Sequence, residues 1–380
     1  MTLLRFARVI DASESRDVPI QSRFDACDPM TQAERSNKVS AARKIAQLQQ
    51  MISDQLSSHL DQVEDFALLD FPNYPNVGDS LIWLGQIKFF EQALGQTPAY
   101  VCTKKTLASA RIHDHVKSGP IFMSGGGNFG DAWPGYQEYR ISVLENCRDY
   151  RVVQLPQTIW FRHQSSGGDL LERTQRAIEN HGRVHLLVRD RRSFDFAQTH
   201  FQCRVDLCPD MAFCLGLQAP PALPDSDMVV LGRDDLEGTG ALHGLGMKNL
   251  AGIVCTDWIT DTSSQDGLAL KLGRKASSVF RKLANERGYP KQWHRQALRR
   301  QRVGAEILSR GKVIVTDRLH GHIFATLLNK PQIVLDNNYG KISGFISEWT
   351  HNVDNLRTAE DVETALELAQ TLAHSDAGDS

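Results

Sequence analysis

A strand–helix–strand pattern over residues 312–335 most constrains how this chain can fold. Residues 313–315 are an apolar run typical of a buried strand, and residues 332–335 form a second one. Between them the apolar residues recur at helical spacing: Ile323, Phe324, Leu327 and Leu328. Buried strands joined by a helix are the repeating unit of parallel sheets. We therefore predict an α/β protein.

Arg318 and His320 stand where the helix of this unit begins. A helix start offers unpaired N–H groups and a positive dipole end to an anion. Arg318 adds a planar fork suited to carboxylate or phosphate, and His320 adds a side chain that titrates near neutral pH. Ligands of open α/β sheets bind at the carboxyl ends of strands, so this is a candidate active site. Each residue alone also fits a structural role, Arg318 in an ion pair and His320 as a capping or packed histidine.

The length of the chain predicts two domains, because 380 residues exceed the roughly 250–300 residues at which single cores stop growing. A segment with three prolines, residues 219–227, is the best linker. The predicted organisation is an N-terminal arm and helix over 1–62, a first Rossmann-like domain over 63–218, the linker over 219–227, a second Rossmann-like domain over 228–350, and a C-terminal helix and tail over 351–380.

Charge and cysteine content exclude several classes of protein. A net charge of -2 gives no general attraction to nucleic acid or anionic membrane. The seven cysteines are an odd number and dispersed, which favours reduced thiols and a cytoplasmic location. Cys203, Cys208 and Cys214 match no common zinc spacing, so we expect no metal site. No stretch approaches the roughly 20 apolar residues of a membrane span.

Asp79 follows the first predicted strand, over residues 66–71, and a loop rich in turn-forming residues. It lies at the start of an amphipathic helix. One interpretation is that Asp79 is the N-cap of that helix. The other is that its carboxylate faces the same crevice as the other strand ends.

Three consecutive glycines follow the predicted strand over residues 119–124. Gly125, Gly127 and Gly130 fit the pattern G-x-G-x-x-G, so a dinucleotide site must be considered. The fingerprint requires an uninterrupted helix next, whereas Trp133-Pro134-Gly135 follows within a few residues. The glycines also allow a ligand to approach the backbone closely, which is the alternative we favour.

Further charged residues end other predicted strands. Arg189 follows residues 184–188 and is either an anion ligand or an ion-pair residue, and we expect Ser193 to cap the next helix. Asp210 stands in the loop after a short strand, and Arg233 is a third possible anion ligand. The triplet at 225–227 resembles the D-x-D of metal-dependent glycosyltransferases, but it lies in the predicted linker.

Residues 271–302 carry eleven lysines and arginines against one acid, Glu286, with aromatic residues interleaved. Such a surface can contact an anionic membrane. It can also bind nucleic acid, although the chain shows no nucleic-acid-binding signature. The third alternative is a solvated helical face.

Taken together, these motifs resemble those of the polysaccharide pyruvyl transferase family. The resemblance rests on five stretches, in the family's order: residues 76–79, 125–130, 189–193, 209–210, and 317–322 with the downstream Lys341. The first and last stretches are the most specific. The N-terminal 60 residues and the basic segment lie outside the match.

The resemblance implies two Rossmann-like domains facing across a cleft, as in GT-B glycosyltransferases. It also implies transfer of the enolpyruvyl group of phosphoenolpyruvate onto a sugar of an exopolysaccharide or other surface glycan, forming a pyruvate ketal. The acceptor would be a lipid-linked oligosaccharide at the inner face of the membrane. Phosphoenolpyruvate would be the donor substrate, with no separate cofactor, no nucleic acid and no metal.

The implied site residues divide by role. His320 and Asp79 would be catalytic, His320 for the proton and Asp79 for the acceptor hydroxyl. Phosphoenolpyruvate would be bound by Arg318, Leu319, Arg189 and Lys341. The acceptor side would comprise Asn76, Gly78, Gly126, Gly127 and Asn128.

Rival classes stay open at this point. A nucleotide-sugar glycosyltransferase shares the GT-B architecture and would bind a uridine or guanosine nucleotide. A dinucleotide oxidoreductase would bind a nicotinamide. A binding module without catalysis is disfavoured, because a histidine and several arginines at strand ends are typical of reacting sites.

Overall fold

The structure is a computed structural model. It describes residues 38–162, 168–232, 242, 252–258, 290–336 and 340–375, without the side chain of Lys341. Most of the predicted N-terminal arm, Arg233 and residues 271–289 of the basic segment lie outside the described residues. Helices and strands are numbered below over the described residues.

The first sheet is parallel and is built from strands with helices between them. Its order is β2-β1-β3-β5-β6-β7, with β4 paired to β5. The strands are β1 (Ala67–Leu69), β2 (Tyr100–Cys102), β3 (Ile121–Met123), β4 (Gly126–Gly130), β5 (Val152–Trp160), β6 (Val184–Val188) and β7 (Arg204–Leu207). The helices are α1 (Ala41–Ser57), α2 (Val77–Leu94), α3 (Ser109–His115), α4 (Pro134–Asn146), α5 (Gly168–His181) and α6 (Arg191–His200), followed by a 3₁₀ helix, Met211–Leu215.

The second sheet is also parallel, in the order β12-β11-β10-β8-β9. Its strands are β8 (Ser226–Leu231), β9 (Ile253–Thr256), β10 (Gly311–Thr316), β11 (Gln332–Leu335) and β12 (Leu356–Ala359). Its helical elements are α7 (Lys291–Ser309), α8 (Leu319–Leu327), α9 (Lys341–Phe345), a π-helical turn (Ile346–Thr350) and α10 (Val362–Ser375). The α/β class predicted from the sequence is confirmed. Strand β12 lies beyond the predicted domain boundary at residue 350.

Both sheets have the same topology. In each, the strand that comes first along the chain lies between the second and the third, as in the 2-1-3-4-5 order of flavodoxin-like folds. The connections on either side of the first strand therefore leave in opposite directions and open a crevice at its carboxyl end. In the first sheet the crevice lies between β1 and β3, and in the second between β8 and β10. These two crevices position the candidate site.

Helix α2 joins the two halves of the core. Its buried residues lie on every side, including Leu81, Trp83, Phe89 and Phe90, which is typical of a helix enclosed by protein. It packs against the 3₁₀ helix and α7. Lys88 Nζ donates to Leu215 O at 2.7 Å. Helix α2 is therefore enclosed between the first sheet, the 3₁₀ helix and α7.

Two other helices connect the sheets. Before α1, Val39 pairs with Val353. On α7, Trp293 stacks on Phe71 with ring centroids 4.9 Å apart, and buried Arg300 donates from Nη1 to Pro72 O at 2.9 Å. Helix α7 thus fixes the loop that leads into α2.

Two details of the first sheet's centre were not predicted from the sequence. The glycine run forms a strand, because Gly126–Gly130 is β4 and pairs with β5. Strand β5 continues through Pro156 to Trp160, with a register shift between Gln154 and Gln157. A proline is tolerated within a strand at such an irregularity.

The structure corrects the predicted cap of helix α6. Ser193 is not the cap: Asp190 is, accepting from Ser193 N at 2.8 Å. The Ser193 hydroxyl instead accepts from Ile159 N at 2.8 Å. It therefore ties α6 to strand β5.

Candidate active site

The crevices of the two sheets meet where helices α2 and α8 begin. Gly78, in the first turn of α2, lies against the ring of His320, in the first turn of α8. A β-carbon on Gly78 would be 2.6 Å from both Cγ and Nδ1 of His320, a distance that real contacts do not show. The absence of a side chain at Gly78 therefore lets the two helix starts touch.

Three charged or titratable side chains from both sheets meet beside this contact. Arg189 follows β6, Asp210 caps the 3₁₀ helix after β7, and His320 is on α8. Arg189 Nη1 is 2.5 Å from Asp210 Oδ2, and His320 Nε2 is 3.4 Å from the same oxygen. Arg189 Nη1 and His320 Nε2 are 3.5 Å apart. One carboxylate oxygen thus holds both a guanidinium and an imidazole.

Asp210 stays ionised although its side chain is buried. Burial alone would raise the pKa of this carboxyl. The hydrogen bond from His320 and the charge of Arg189 outweigh burial and hold the pKa of Asp210 below its usual range. Its second oxygen accepts from Ala212 N at 2.9 Å. Asp210 is therefore a fixed negative charge that orients the other two side chains.

Arg189 is held in place from several directions. Its Nε donates to Thr158 Oγ1 at 3.0 Å, and that hydroxyl donates to Asp190 Oδ2 at 2.8 Å. The indole N–H of Trp349 donates to the Arg189 carbonyl at 2.8 Å. The guanidinium is buried, and Nη2 would be 3.2 Å from a β-carbon on Gly127. The glycine leaves this face of the guanidinium uncovered by a side chain.

Arg318 is turned into the protein. Its Nε donates to Gly232 O at 3.0 Å, and its Nη2 pairs with Asp257 Oδ2 at 2.6 Å. The side chain is about as buried as that of Arg189. The ion-pair interpretation of Arg318 thus describes these contacts, and its predicted role in anion binding stays a prediction.

The first backbone N–H groups of helix α8 are not used in hydrogen bonds within the helix. The first intrahelical bond runs from His322 N to Arg318 O at 3.0 Å, so the N–H groups of Leu319, His320 and Gly321 precede the helical ladder. No side chain among the described residues caps this helix. Leu319, predicted to bind the donor, is buried in the core and presents only its backbone here.

On the opposite side, Asp79 is half-buried in the first turn of α2. It is not the N-cap, because Asn76 fills that role and accepts from Asp79 N at 3.3 Å. The carboxylate instead accepts from the hydroxyl of Tyr74 at 2.9 Å. Asp79 Oδ1 would also lie 3.7 Å from a β-carbon on Gly126. Asp79 therefore faces the glycine strand across the crevice.

The glycine strand is held by a buried polar network. Gln157 accepts from Asn128 N at 3.3 Å, and its amide donates to Asn128 Oδ1 at 3.2 Å and to Ser124 O at 3.1 Å. Arg140, also buried, donates to both oxygens of Asn128. Asn128, predicted to meet the acceptor, is thus engaged inside the protein. Gly126 and Gly127 form the part of the strand nearest Asp79 and Arg189.

The structure draws attention to two acids that were given no role from the sequence, Asp210 and Asp70. Asp210 was predicted to lie in a loop and within the 209–210 stretch of the resemblance, and Asp70 within a strand. The signal for Asp70 in the sequence is its position directly after the apolar residues 66–69. Lys341 begins α9, but its side chain is not described, so its predicted role in binding the donor stays a prediction. The described residues contain no group of three or more His, Cys, Asp or Glu side chains placed to hold a metal ion.

Two parallel sheets, with an arginine, an acid and a histidine where their crevices meet, define a Rossmann-like α/β protein. The polysaccharide pyruvyl transferase model matches residues 76–339, and the chain belongs to that family.

Individual relatives agree with this assignment. Pyruvyl transferase 1 of Schizosaccharomyces pombe is 30% identical over 331 residues, covering 80% of this chain and 75% of that protein. EpsO of Bacillus subtilis, named provisionally as a pyruvyl transferase, is 29% identical over 313 residues, covering 80% of this chain and 92% of its own. A crystal structure of the functionally uncharacterised KP1_0663 from Klebsiella pneumoniae covers 82% of this chain and 98% of its own at 20% identity, with a TM-score of 0.53. That last likeness supports the fold alone.

Proposed function

We propose that this protein transfers the enolpyruvyl group of phosphoenolpyruvate onto a sugar of a surface polysaccharide, forming a pyruvate ketal. The observation that carries the proposal is the Arg189–Asp210–His320 constellation, which joins an anion ligand and a proton carrier at the meeting point of two sheets. Membership of the pyruvyl transferase family supports the transferred group.

The donor has two anionic groups, a carboxylate and a phosphate. Arg189 Nη2, on the face opened by Gly127, offers a charged hydrogen bond to one of them. The backbone N–H groups of Leu319, His320 and Gly321 offer a second anion site. Arg318 adds positive charge close behind, and Lys341 is a further proposed ligand. Phosphoenolpyruvate is the only donor that the proposal requires, with no other cofactor.

His320 would supply the proton that turns the enol carbon into a methyl group. Asp210 accepts a hydrogen bond from Nε2 and so fixes the plane of the ring. Protonation leaves positive charge at the central carbon, which the first sugar hydroxyl attacks while Asp79 takes its proton. The second hydroxyl then displaces phosphate and closes the ketal.

The two sheets would act as the two halves of a GT-B-like enzyme, with the donor at the second sheet and the acceptor at the first. The acceptor side would comprise Asn76, Gly78, Gly126, Gly127 and Asn128, around Asp79. Asn76 holds the start of α2, Gly78 admits His320, and Asn128 fixes the glycine strand. The acceptor would be a lipid-linked oligosaccharide.

Binding of such an acceptor would place the enzyme at the inner face of the cytoplasmic membrane. Within the described part of the basic segment, Lys291, Arg295, Arg299 and Arg302 are exposed on α7, whereas Arg300 is buried. None of the described helices is long and apolar enough to cross a membrane. We expect sedimentation with anionic liposomes at low salt and none with neutral liposomes. Equal recovery with both would contradict this part of the proposal.

A thermal-shift titration tests the donor. A ligand that binds only the folded state stabilises it by about 2.7 kcal/mol at a hundredfold excess over its dissociation constant. We expect a shift with phosphoenolpyruvate and none with UDP-glucose or NAD. Arg189→Lys, which keeps the charge and loses the fork, should weaken the shift, and Arg192→Lys on the exposed start of α6 should not. A shift with UDP-glucose alone would indicate a glycosyltransferase instead.

A second experiment tests the role of His320. We expect His320→Asn to keep the thermal shift with phosphoenolpyruvate and to lose about 10²-fold or more in turnover, the contribution typical of a general acid. His374→Asn, at an exposed histidine of α10, is the matched control and should behave as the wild type. Unchanged turnover in His320→Asn would refute the proton role.

A further inference from the structure

Asp70 is a buried acid at the carboxyl end of β1, where the crevice of the first sheet opens. Its backbone has φ +72°, in the left-handed region that most side chains avoid. The other described residues with this feature besides glycine, Gln62 and Asn329, lie in connections away from the site. Strain of this kind persists only where surrounding structure enforces it, and it concentrates at functional positions.

The carboxyl of Asp70 interacts electrostatically with charged and titratable groups of the elements around it. They are Tyr74 in the loop before α2, Asp79 in the first turn of α2, Cys102 of β2, Lys104 after β2, and Tyr136, Tyr139 and Arg140 of α4. Burial raises the pKa of Asp70 to about 6, the charge of Asp79 adds to this rise, and Arg140 and Lys104 oppose it.

The tyrosines connect this cluster to Asp79, the acid proposed to act on the acceptor. Tyr74 donates to Asp79 Oδ2 at 2.9 Å, and the rings of Tyr74 and Tyr136 are 6.5 Å apart at 72°. Lys104 Nζ lies 3.9 Å from the centre of the Tyr136 ring. Asp70 and Asp79 are therefore two carboxyl groups of one cluster, and Tyr74 contacts the second of them directly.

We propose that Asp70 is a second catalytic base for the acceptor and takes the proton of the second sugar hydroxyl as the ketal closes. The idea rests on the proposed function, because a ketal removes two hydroxyl protons and Asp79 accounts for one. In the closing step a bond forms between the sugar oxygen and the central carbon. The bond from that carbon to the phosphate oxygen breaks, and its electron pair leaves with phosphate, which solvent protonates. The protons on Asp79 and Asp70 then return, one to His320 and one to solvent.

The test compares Asp70→Asn with Asp65→Asn. Asparagine keeps the size of aspartate and tolerates positive φ, but it cannot take a proton near neutral pH. Asp65 lies before the other end of β1, where its carboxylate accepts from the N–H groups of Lys117 and Gly119. It is therefore a matched structural acid outside the site.

The assay measures phosphate release from phosphoenolpyruvate with a panel of methyl hexopyranosides as acceptors. We expect Asp70→Asn to lose about 10²-fold in kcat, to lose the acid limb of the kcat profile near pH 6, and to keep its KM for phosphoenolpyruvate. Asp65→Asn should keep kcat and the profile. If asparagine prevents folding, Asp70→Gly relieves the backbone and should show the same kinetic loss. A kcat within threefold of the wild type, or an unchanged acid limb, would overturn the proposal.

A second arm needs no acceptor. Infrared spectra should show a carboxylic acid band that titrates near pH 6 in the wild type and in Asp65→Asn, and that is absent from Asp70→Asn. A band retained in Asp70→Asn would overturn the inference by itself. Absence of turnover in the wild type on every acceptor, together with no thermal shift on phosphoenolpyruvate, would instead count against the proposed function.

Discussion

His322 gives the sharpest prediction about stability. It is the second histidine of the 317–322 stretch, but unlike His320 it is fully buried. Its Nδ1 lies 2.9 Å from Gln332 Oε1, and its Nε2 lies 2.8 Å from Thr350 Oγ1. Because the Gln332 amide donates to Thr326 Oγ1 at 3.0 Å, its oxygen faces the histidine and accepts from Nδ1–H. The ring is therefore neutral, with Nε2 as an acceptor.

Burial lowers the pKa of His322 from 6.5 to about 4, and the hydrogen bond to Gln332 opposes this fall only in part. Between these two values the unfolded chain binds a proton and the folded protein does not. His322 therefore costs the folded protein no free energy of unfolding above pH 6.5. As the pH falls from 6.5 toward 4, the unfolded chain is favoured increasingly because it alone binds the proton. At about 1.4 kcal/mol for each tenfold change in proton affinity, the loss is about 3 kcal/mol, a large part of a typical 5–15 kcal/mol.

Urea unfolding at pH 7, 6, 5 and 4, followed by tryptophan fluorescence, measures this loss. His322→Asn should be less stable than the wild type at pH 7, because a buried bond to Thr350 is lost. The difference should shrink by about 3 kcal/mol by pH 4. His351→Asn, at an exposed histidine of the same unit, should parallel the wild type. Parallel curves for His322→Asn and the wild type would refute the reasoning.

Two further predictions follow from contacts between the sheets. Gly78→Ala should displace His320 and lower turnover, measured as phosphate release, by about 10²-fold. Gly344→Ala is the control and should keep its turnover, because a β-carbon there meets nothing within 4 Å. Normal turnover in Gly78→Ala would contradict the contact. Trp349→Phe should cost about 1 kcal/mol of unfolding free energy, because the Arg189 carbonyl loses its donor. Exposed Trp133→Phe is the control in the same urea titration, and equal stability of the two variants would refute the assignment.

Strands buried on both faces were predicted well from the sequence. Residues 184–188 and 332–335 match the observed strands, because an uninterrupted apolar run marks a strand covered on both sides. Strand β4 was missed because glycine carries no strand preference, and its pairing with β5 is set by tertiary contacts.

The site, too, depends on tertiary contacts that local sequence patterns do not encode. Local patterns placed Arg189, Asp79 and His320 at strand ends, and the structure brings all three around the crevices. The direction of a side chain is not local: Arg318 turns inward because Asp257, in another connection, pairs with it. The sequence placed Asp210 in a loop, but its pairing with Arg189 and His320 became recognisable only in the fold.

The division of the site between two sheets has a consequence for expressing the chain as two fragments. The acid that orients the ring lies before the 219–227 connection, and the ring itself lies after it. A chain cut within that connection would yield two fragments, neither of which contains the Asp210–His320 pair. Mixing the separately inactive fragments should restore activity only on reassembly, so catalysis would serve as a complementation reporter. In such a pair of genes, a larger residue at Gly78 would require a smaller one at His320, because the ring of His320 fills the space where a side chain at residue 78 would lie.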